Sequence, residues 1–376
     1  MNKIKISLLI LIPGLMQALV FCTKTDEQVQ SPTLPQNTVK GAGKVVVLTD
    51  QFEGIHMVLA GSAENRFIVS FRNELQGKSL KFEAIQGELP LIMKDDEGNK
   101  WDITGTAVEG PAKGQKLISM QSYMGYWFSW GTFFPGAEIY GNPDESQRMP
   151  RPYLNGDWLI PSNQVLSGGP GKDGIPALKN PHFLNKSDAS FMNDEDLILG
   201  LVVGTDARAY PHKILDWHEI INDEILGEKL VISYCPLTGT GIGWLQEQHG
   251  KTSTFGVSGL LYNSNLVPYD RNTDSYWSQM RLDCIKGSRK GEKIETTQLI
   301  ETTWGTWKNI YPNTQVVSTN TGYSRNYNRY PYGNYKTDET VYFPVSVEDN
   351  RLHAKEVVHG IIINDFAKIY RFEEFK

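Results

Sequence analysis

The chain has 376 residues, 40% of them hydrophobic and 21% charged, with a formal net charge of −6 and a pI near 5.7. That length accommodates two domains, and the balance is that of an ordinary water-soluble globular chain. A negative chain without a basic stripe excludes nucleic acid as the expected partner. The nine Trp and seventeen Tyr point first to large β-type cores and second to ligand stacking.

Lys3 and Lys5 form a positive start, and residues 6–21 are an apolar run interrupted by Pro13-Gly14 that ends at Cys22. This has the layout of a bacterial lipoprotein signal, with Phe21 standing where a small residue is usual. The expectation for 1–22 is export and lipidation of Cys22, giving a cell-envelope protein whose partner is the membrane through its lipid anchor. A retained anchor helix is the alternative. Residues 23–40 are polar, contain proline and lack periodicity, as a flexible tether does.

Residues 41–141 carry short β-type runs (VVVL, HMVL, FIVSF, LKFEAI) between Gly, Asn and charged turns. Residues 142–196 form a Pro/Gly-rich connection. Within it Ser167-Gly-Gly-Pro-Gly-Lys172-Asp173-Gly lacks the Gly-Lys-Ser/Thr ending of a phosphate loop. It is expected as a tight turn that sets Lys172 and Asp173 beside a site. The densest set of reactive side chains lies in residues 200–240: His212, His218, Glu219, Asp223 and Cys235. Two strands should lead to a single helix opening at Pro211, with Ile214, Leu215, Trp217 and Ile221 on its buried face. A buried strand, Leu230 to Tyr234, should then deliver Cys235 ahead of Pro236. Residues 250–280 read as strands in which Gly256 and Gly259 mark bulges or close backbone approach. Residues 320–345 are an irregular Tyr/Asn/Gly loop that shields the site or walls it.

The chain repeats itself. Trp127, Trp130 and Pro135 match Trp304, Trp307 and Pro312 at an offset of 177, as Gly110 and Gly114 match Gly287 and Gly291. Gly77 to Phe82 pairs with Gly250 to Phe255, and Gly200 to Tyr210 echoes Gly360 to Tyr370 at an offset of 160. The fold class expected is therefore α+β, mainly β, with two tandem duplicated β-rich halves and short helices. Residues 41–141 form a degenerate structural copy and 197–376 the site-bearing copy. In this reading Ser70-Phe71 stands roughly where the second copy has Tyr234-Cys235, and Asp95-Asp96 stands where it has Asp270-Arg271. The first half lacks a counterpart of the Trp217-to-Asp223 helix, and the C-terminal hairpin packs beside the first strands of the site.

The stretches SGGPGKDGIPAL, ARAYPHKILDWHEIIND, YCPLTGT, FGVSGLLYNSNLVPYDRNTDSYWSQ and TTWGTWKNIYPNTQVVSTNTGY resemble the bacterial and archaeal family known as domain of unknown function 3179. Many of its members carry a second Cys where this chain has Thr238. The resemblance implies membership and no particular activity.

Three functional readings compete. In the first, a thiolate–imidazole metal site uses Cys235, His218 and His212 and suits copper or zinc. In the second, Cys235 is a nucleophile with His218 as base and Glu219 or Asp223 as orienter, its thiol acidified by Arg208, Arg271 or His218. In the third, an exported scaffold binds a small ligand or an envelope protein without catalysis. The candidate binding side chains are Arg208, Tyr210, Asn222, Ser258, Tyr262, Asn263, Asp270, Arg271, Trp277, Lys172 and Asp173. Taken alone, His218 reads more simply as a packed histidine donating to a carbonyl, Cys235 as a small buried residue, and Arg208 and Asp270-Arg271 as structural ion pairs.

Overall fold

The computed structural model describes residues 43–142, 149 and 154–376, so the expected signal segment, Cys22 and the expected tether lie outside the described residues. Strand dominates. Three short α-helices are described, α1 (Trp127–Phe133), α2 (His212–His218) and α3 (Trp304–Ile310).

The duplication reads directly from the sheets. Strands Val46–Phe52, Ile55–Ser62 and Phe67–Arg72 form one antiparallel sheet, and strands Ile220–Ile225, Glu228–Cys235 and Thr240–Leu245 repeat it. The first turn in each is a two-residue loop with both residues at positive φ, Glu53-Gly54 and Leu226-Gly227. This is the hairpin geometry that matches strand twist, and it leaves Leu226 in solvent. The offset is 173 at each strand (228−55, 235−62, 240−67). Cys235 therefore corresponds to Ser62, not to Ser70-Phe71, because strand ends fix the register more tightly than loose sequence spacing does.

Two further details repeat. The Trp101 indole donates to Asp95 Oδ2 at 2.9 Å, and the Trp277 indole donates to Asp270 Oδ2 at 3.1 Å. The two aspartates thus do the same structural work in both copies. The expected chemical difference at Asp270 is replaced by a shared buried hydrogen bond.

Helices α1 and α3 each lie in the chain between two short strands that flank a β-hairpin. In one copy the order is Ile300–Thr303, Leu197–Val203, Asp206–Pro211, Gln315–Val317; in the other it is Ser122–Tyr126, Val357–Ile363, Phe366–Arg371, Glu138–Ile139. The C-terminal hairpin thus completes the first copy's sheet and does not lie beside the first strands of the site, since the free edges of Ser122–Tyr126 and Glu138–Ile139 are what it pairs with. The 3-10 turn Phe372–Phe375 that follows it takes the place that α2 has after Pro211. The counterpart of α2 is therefore supplied from the far end of the chain. Gly200 and Gly360 sit under Trp307 and Trp130; a β-carbon at either would fall within the indole, which is why the hairpin centre is glycine in both copies.

The copies interlock. α1 of the first half shares one core with Trp244, Phe255 and Trp277 of the second, and α3 of the second shares another with Phe71, Trp101 and Leu117 of the first. Strand Ser122–Tyr126 lies against Thr240–Leu245, and Ile300–Thr303 against Phe67–Arg72, so the seam has an internal two-fold relation. Backbone carbonyls in equivalent places (238−65 = 173) accept across it, Thr238 O from Tyr126 N at 2.8 Å and Asn65 O from Thr302 Oγ1 at 2.6 Å.

Candidate functional site

Helix α2 is shorter than the sequence pattern suggests. It ends at His218, and Ile220 to Asp223 belong to the next strand. Ile221 therefore packs from a strand, and Glu219 and Asp223 do not share a helix face. The break falls on Glu219, whose φ of 57 and ψ of −33 are strained for a side-chain-bearing residue. Its N–H still closes the helix on Leu215 O at 2.7 Å, while its carbonyl accepts from Tyr234 N at 2.7 Å. Those two bonds hold the bend against the strand that ends in Cys235.

The strain aims a carboxyl into the interior. Glu219 is 7% exposed and accepts from Tyr332 Oη at 3.2 Å; burial pushes its carboxyl up to about 7. Cys235 is buried beside it, with Sγ 3.7 Å from Ser264 O. Burial, with the charge of Glu219 behind it, pushes the thiol up to about 11. The cations expected to acidify it are engaged elsewhere. Arg208 donates to Asp223 at 2.7 Å, and Arg271 donates to both oxygens of Asp173 at 2.7 and 2.9 Å. Cys235 and Cys284 are both free and buried.

His218 is closed to metal and to Cys235 alike. Burial pulls its pKa down to about 4, so the ring is neutral near pH 7. Its Nδ1 lies 2.7 Å from Pro176 O, which can only accept, so Nδ1 carries the proton and Nε2 accepts from Tyr327 Oη at 2.7 Å. Both nitrogens are committed. Among the described residues no group of three or more His, Cys, Asp or Glu is disposed to hold a metal ion. The Cys235, His218 and His212 set does not fit copper or zinc.

The remaining sequence candidates separate into structural roles. Tyr210 Oη donates to Asp223 at 2.7 Å, so Asp223 is held by Tyr210 and Arg208 together. Asn222 clamps Phe255 through N–H and C=O at 2.7 and 2.9 Å. Ser258 donates to Val267 O, Tyr262 packs edge-on against Phe133, and Asn263 accepts from Ser346 N at 2.8 Å. Lys172 pairs with Asp274 and lies over the Tyr269 ring at 4.0 Å. Together with Asp173 and Arg271 it forms a half-exposed cluster bonded to Tyr269. The glycine-rich loop reaches that cluster because Gly259, at φ 75 in a bulge, leaves room for Pro170 and Gly171.

Around Cys235 and Glu219 gather tyrosines of the segment expected to wall the site, with Tyr126 and two acids that no motif singled out. Tyr126, Tyr330, Tyr332 and Tyr335 stand close enough for an ionised Cys235 to raise their hydroxyls further. The 320–345 segment supplies three of them. Tyr335 Oη donates to Leu237 O at 2.8 Å, and buried Lys355 donates to the carbonyls of Tyr335, Asp338 and Thr340, its ammonium 3.6 Å over the Tyr335 ring. Beside them stand His212, Asp216 and Glu301. Burial pushes Asp216 up to about 6 and Glu301 up to about 8, and drives His212 well below its ordinary value. His212 Nε2, Asp216 Oδ1, Glu301 Oε2 and Tyr330 Oη are all buried without a hydrogen-bond partner; such groups are rare in folded proteins and mark sites.

An open groove of about 600 Å³ runs over this floor, lined among others by His212, Asp216, Tyr327, Tyr330 and Lys336. Lys336 Nζ is 3.3 Å from Asp216 Oδ2 and 4.2 Å over the Tyr330 ring. A sequence signal for Asp216 existed, since it lies one helical turn after His212 on the same face. For Glu301 the signal was an acid where the first copy has Met124 (301−124 = 177).

A family model described as "Protein of unknown function (DUF3179)" matches residues 16–137 and 172–376. The chain belongs to DUF3179. The family match leaves out residues 138–171, which hold most of the Pro/Gly-rich connection. Comparison with curated proteins and with solved structures returns no match. Several of the motifs this DUF3179 chain shares with its family are explained by packing. Asn265 donates to Thr238 and Gln279, Thr240 donates to Gln279, and Gln279 donates to Ser233, a fully buried network. Thr238, standing where many members have a second Cys, is a member of that network.

Proposed function

We propose that this DUF3179 protein is a non-catalytic binding protein of the cell envelope whose groove takes a small organic cation. The observation that carries the reading is Asp216. Its carboxyl is almost fully buried, with one oxygen on the Lys336 ammonium and the other without a partner. The same ammonium lies on the face of Tyr330. A buried carboxylate beside an aromatic face is the chemistry of cation recognition, and here a half-exposed lysine of the chain itself occupies part of it. The groove has the size of a small-molecule site. The protonated thiol of Cys235 and the fully bonded His218 argue against covalent catalysis and against metal.

The test is calorimetric titration of the soluble chain from residue 23 with benzylammonium, benzyl alcohol and benzoate at pH 7. Benzylammonium alone is expected to bind, with one site. Equal binding of the alcohol, or tighter binding of benzoate, would refute cation recognition. Export and anchoring rest on Lys3, Lys5, the apolar run and Cys22. Palmitate labelling in a bacterial host should mark the full chain and be lost in Cys22→Ser; labelling of the variant would refute lipidation at that residue.

A further inference from the structure

The interlocked copies meet over a cleft of about 170 Å³. Its walls follow the internal two-fold almost residue by residue. Residues 68–70 answer 241–243 (offset 173), and 119–122 answer 296–299 (offset 177). Two pairs set an ionisable side chain against an apolar one: Met124 answers Glu301 (301−124 = 177) and Leu199 answers His359 (359−199 = 160). In the sheets Met124 stands opposite His359, and Leu199 opposite Glu301. Each copy thus brings one apolar and one ionisable side chain, but on exchanged strands. The result is one acid and one imidazole in a single cleft.

Their hydrogen bonding fixes what each can offer. Met120 O only accepts, so Ser122 Oγ donates to it at 3.4 Å, and Ser70 donates to Ser122 at 3.0 Å. Ser70 Oγ must then accept from His359 Nε2 at 3.4 Å. This leaves His359 Nδ1 as a bare lone pair, and it is buried without a partner. Glu301 Oε2 is likewise without one, since His212 Nε2 stands 3.8 Å away, beyond hydrogen-bond reach.

We propose that this cleft is a second binding site, for a small neutral molecule of the carboxamide type that donates an N–H to His359 Nδ1 and accepts from the Glu301 carboxyl. Burial keeps both groups uncharged near neutral pH, Glu301 moved up to about 8 and His359 down to about 3, so a charged ligand would find no counter-ion. An engineered cavity of ~150 Å³ admits benzene, which sets the ligand at about six heavy atoms.

The probe is butyramide, followed by NMR saturation transfer and chemical-shift titration at pH 6.5, with butyrate and 2-pentanone as size-matched controls. In the wild type, butyramide should bind at least tenfold more tightly than either control and give NOEs to the methyl groups of Met124 and Leu199. The variants Glu301→Met and His359→Leu each install the residue that the other copy already carries. Both should weaken butyramide at least tenfold while melting no lower than the wild type. Absence of those NOEs, equal binding of the controls, or undiminished binding by both folded variants would overturn the proposal. The NOEs are read on the wild type, so they decide the matter even if a variant fails to fold.

Discussion

Replacing Glu219 by Gln separates the charge of that side chain from its shape. The amide occupies the same space and can still accept from Tyr332 Oη. In the folded chain the carboxyl is raised from 4.5 to about 7. The folded form therefore holds a proton that the unfolded form has released. Below pH 4.5 this group imposes no penalty. As pH rises from 4.5 through 7 the wild type loses stability, and above 7 the loss is complete. The shift of 7 − 4.5 = 2.5 units corresponds to about 3 kcal/mol. Asp216 and Glu301 titrate in both proteins and cancel in the difference. Urea unfolding followed by Trp fluorescence should show the variant within about 1 kcal/mol of the wild type at pH 4.5 and about 3 kcal/mol more stable at pH 9. A difference that stays the same between those pH values would refute the placement of Glu219 as a buried, proton-holding group.

Other perturbations probe the rest of the architecture. Gly200→Ala and Gly360→Ala push a methyl group into Trp307 and Trp130, and each should lower stability by about 1–3 kcal/mol in urea unfolding; a neutral effect at both would contradict the duplicated hairpin–indole contact. With its pKa moved from 9.0 to about 11, Cys235 should alkylate with iodoacetamide about a hundredfold more slowly in the native chain than after unfolding, by mass spectrometry at pH 7.5. Fast native alkylation would restore the nucleophile reading. Lys355→Met leaves three carbonyls of the 335–340 turn without their donor. Limited proteolysis should then cut that segment at least tenfold faster, with the melting transition of the core retained.

Much of the fold was legible in the sequence because duplication preserves the residues that pack. The paired tryptophans recur at an offset of 177 and the glycines beneath them at 160, whereas the aspartates that bond indoles were read as a difference between the copies and are shared. What the sequence did not disclose is where the copies exchange parts. Strand pairing between Ser122–Tyr126 and Val357–Ile363 joins segments more than two hundred residues apart, and no local pattern specifies it. Reactive residue types were legible in the sequence, and their chemical states were not. Cys235, Glu219 and His212 lie where the reactive stretch put them. Burial sets the state of each, opposed at Glu219 by Tyr332 and helped at His212 by Lys336, both from a loop without periodicity. Asp223 and His218 looked reactive as residue types and are saturated by Arg208, Tyr210, Pro176 and Tyr327. Asp216 and Glu301 were passed over because a single acid inside an apolar element reads as a surface residue until its burial is known.

Cation recognition at Asp216, with Lys336 standing in for part of the ligand, makes opposite demands on those two side chains. It is tested most directly by titrating benzylammonium into the wild type, Lys336→Met and Asp216→Asn at pH 7. Removing the competing ammonium should tighten binding several-fold in Lys336→Met, and removing the carboxylate should abolish it in Asp216→Asn. Unchanged affinity in Asp216→Asn, or loss of binding in Lys336→Met, would contradict it.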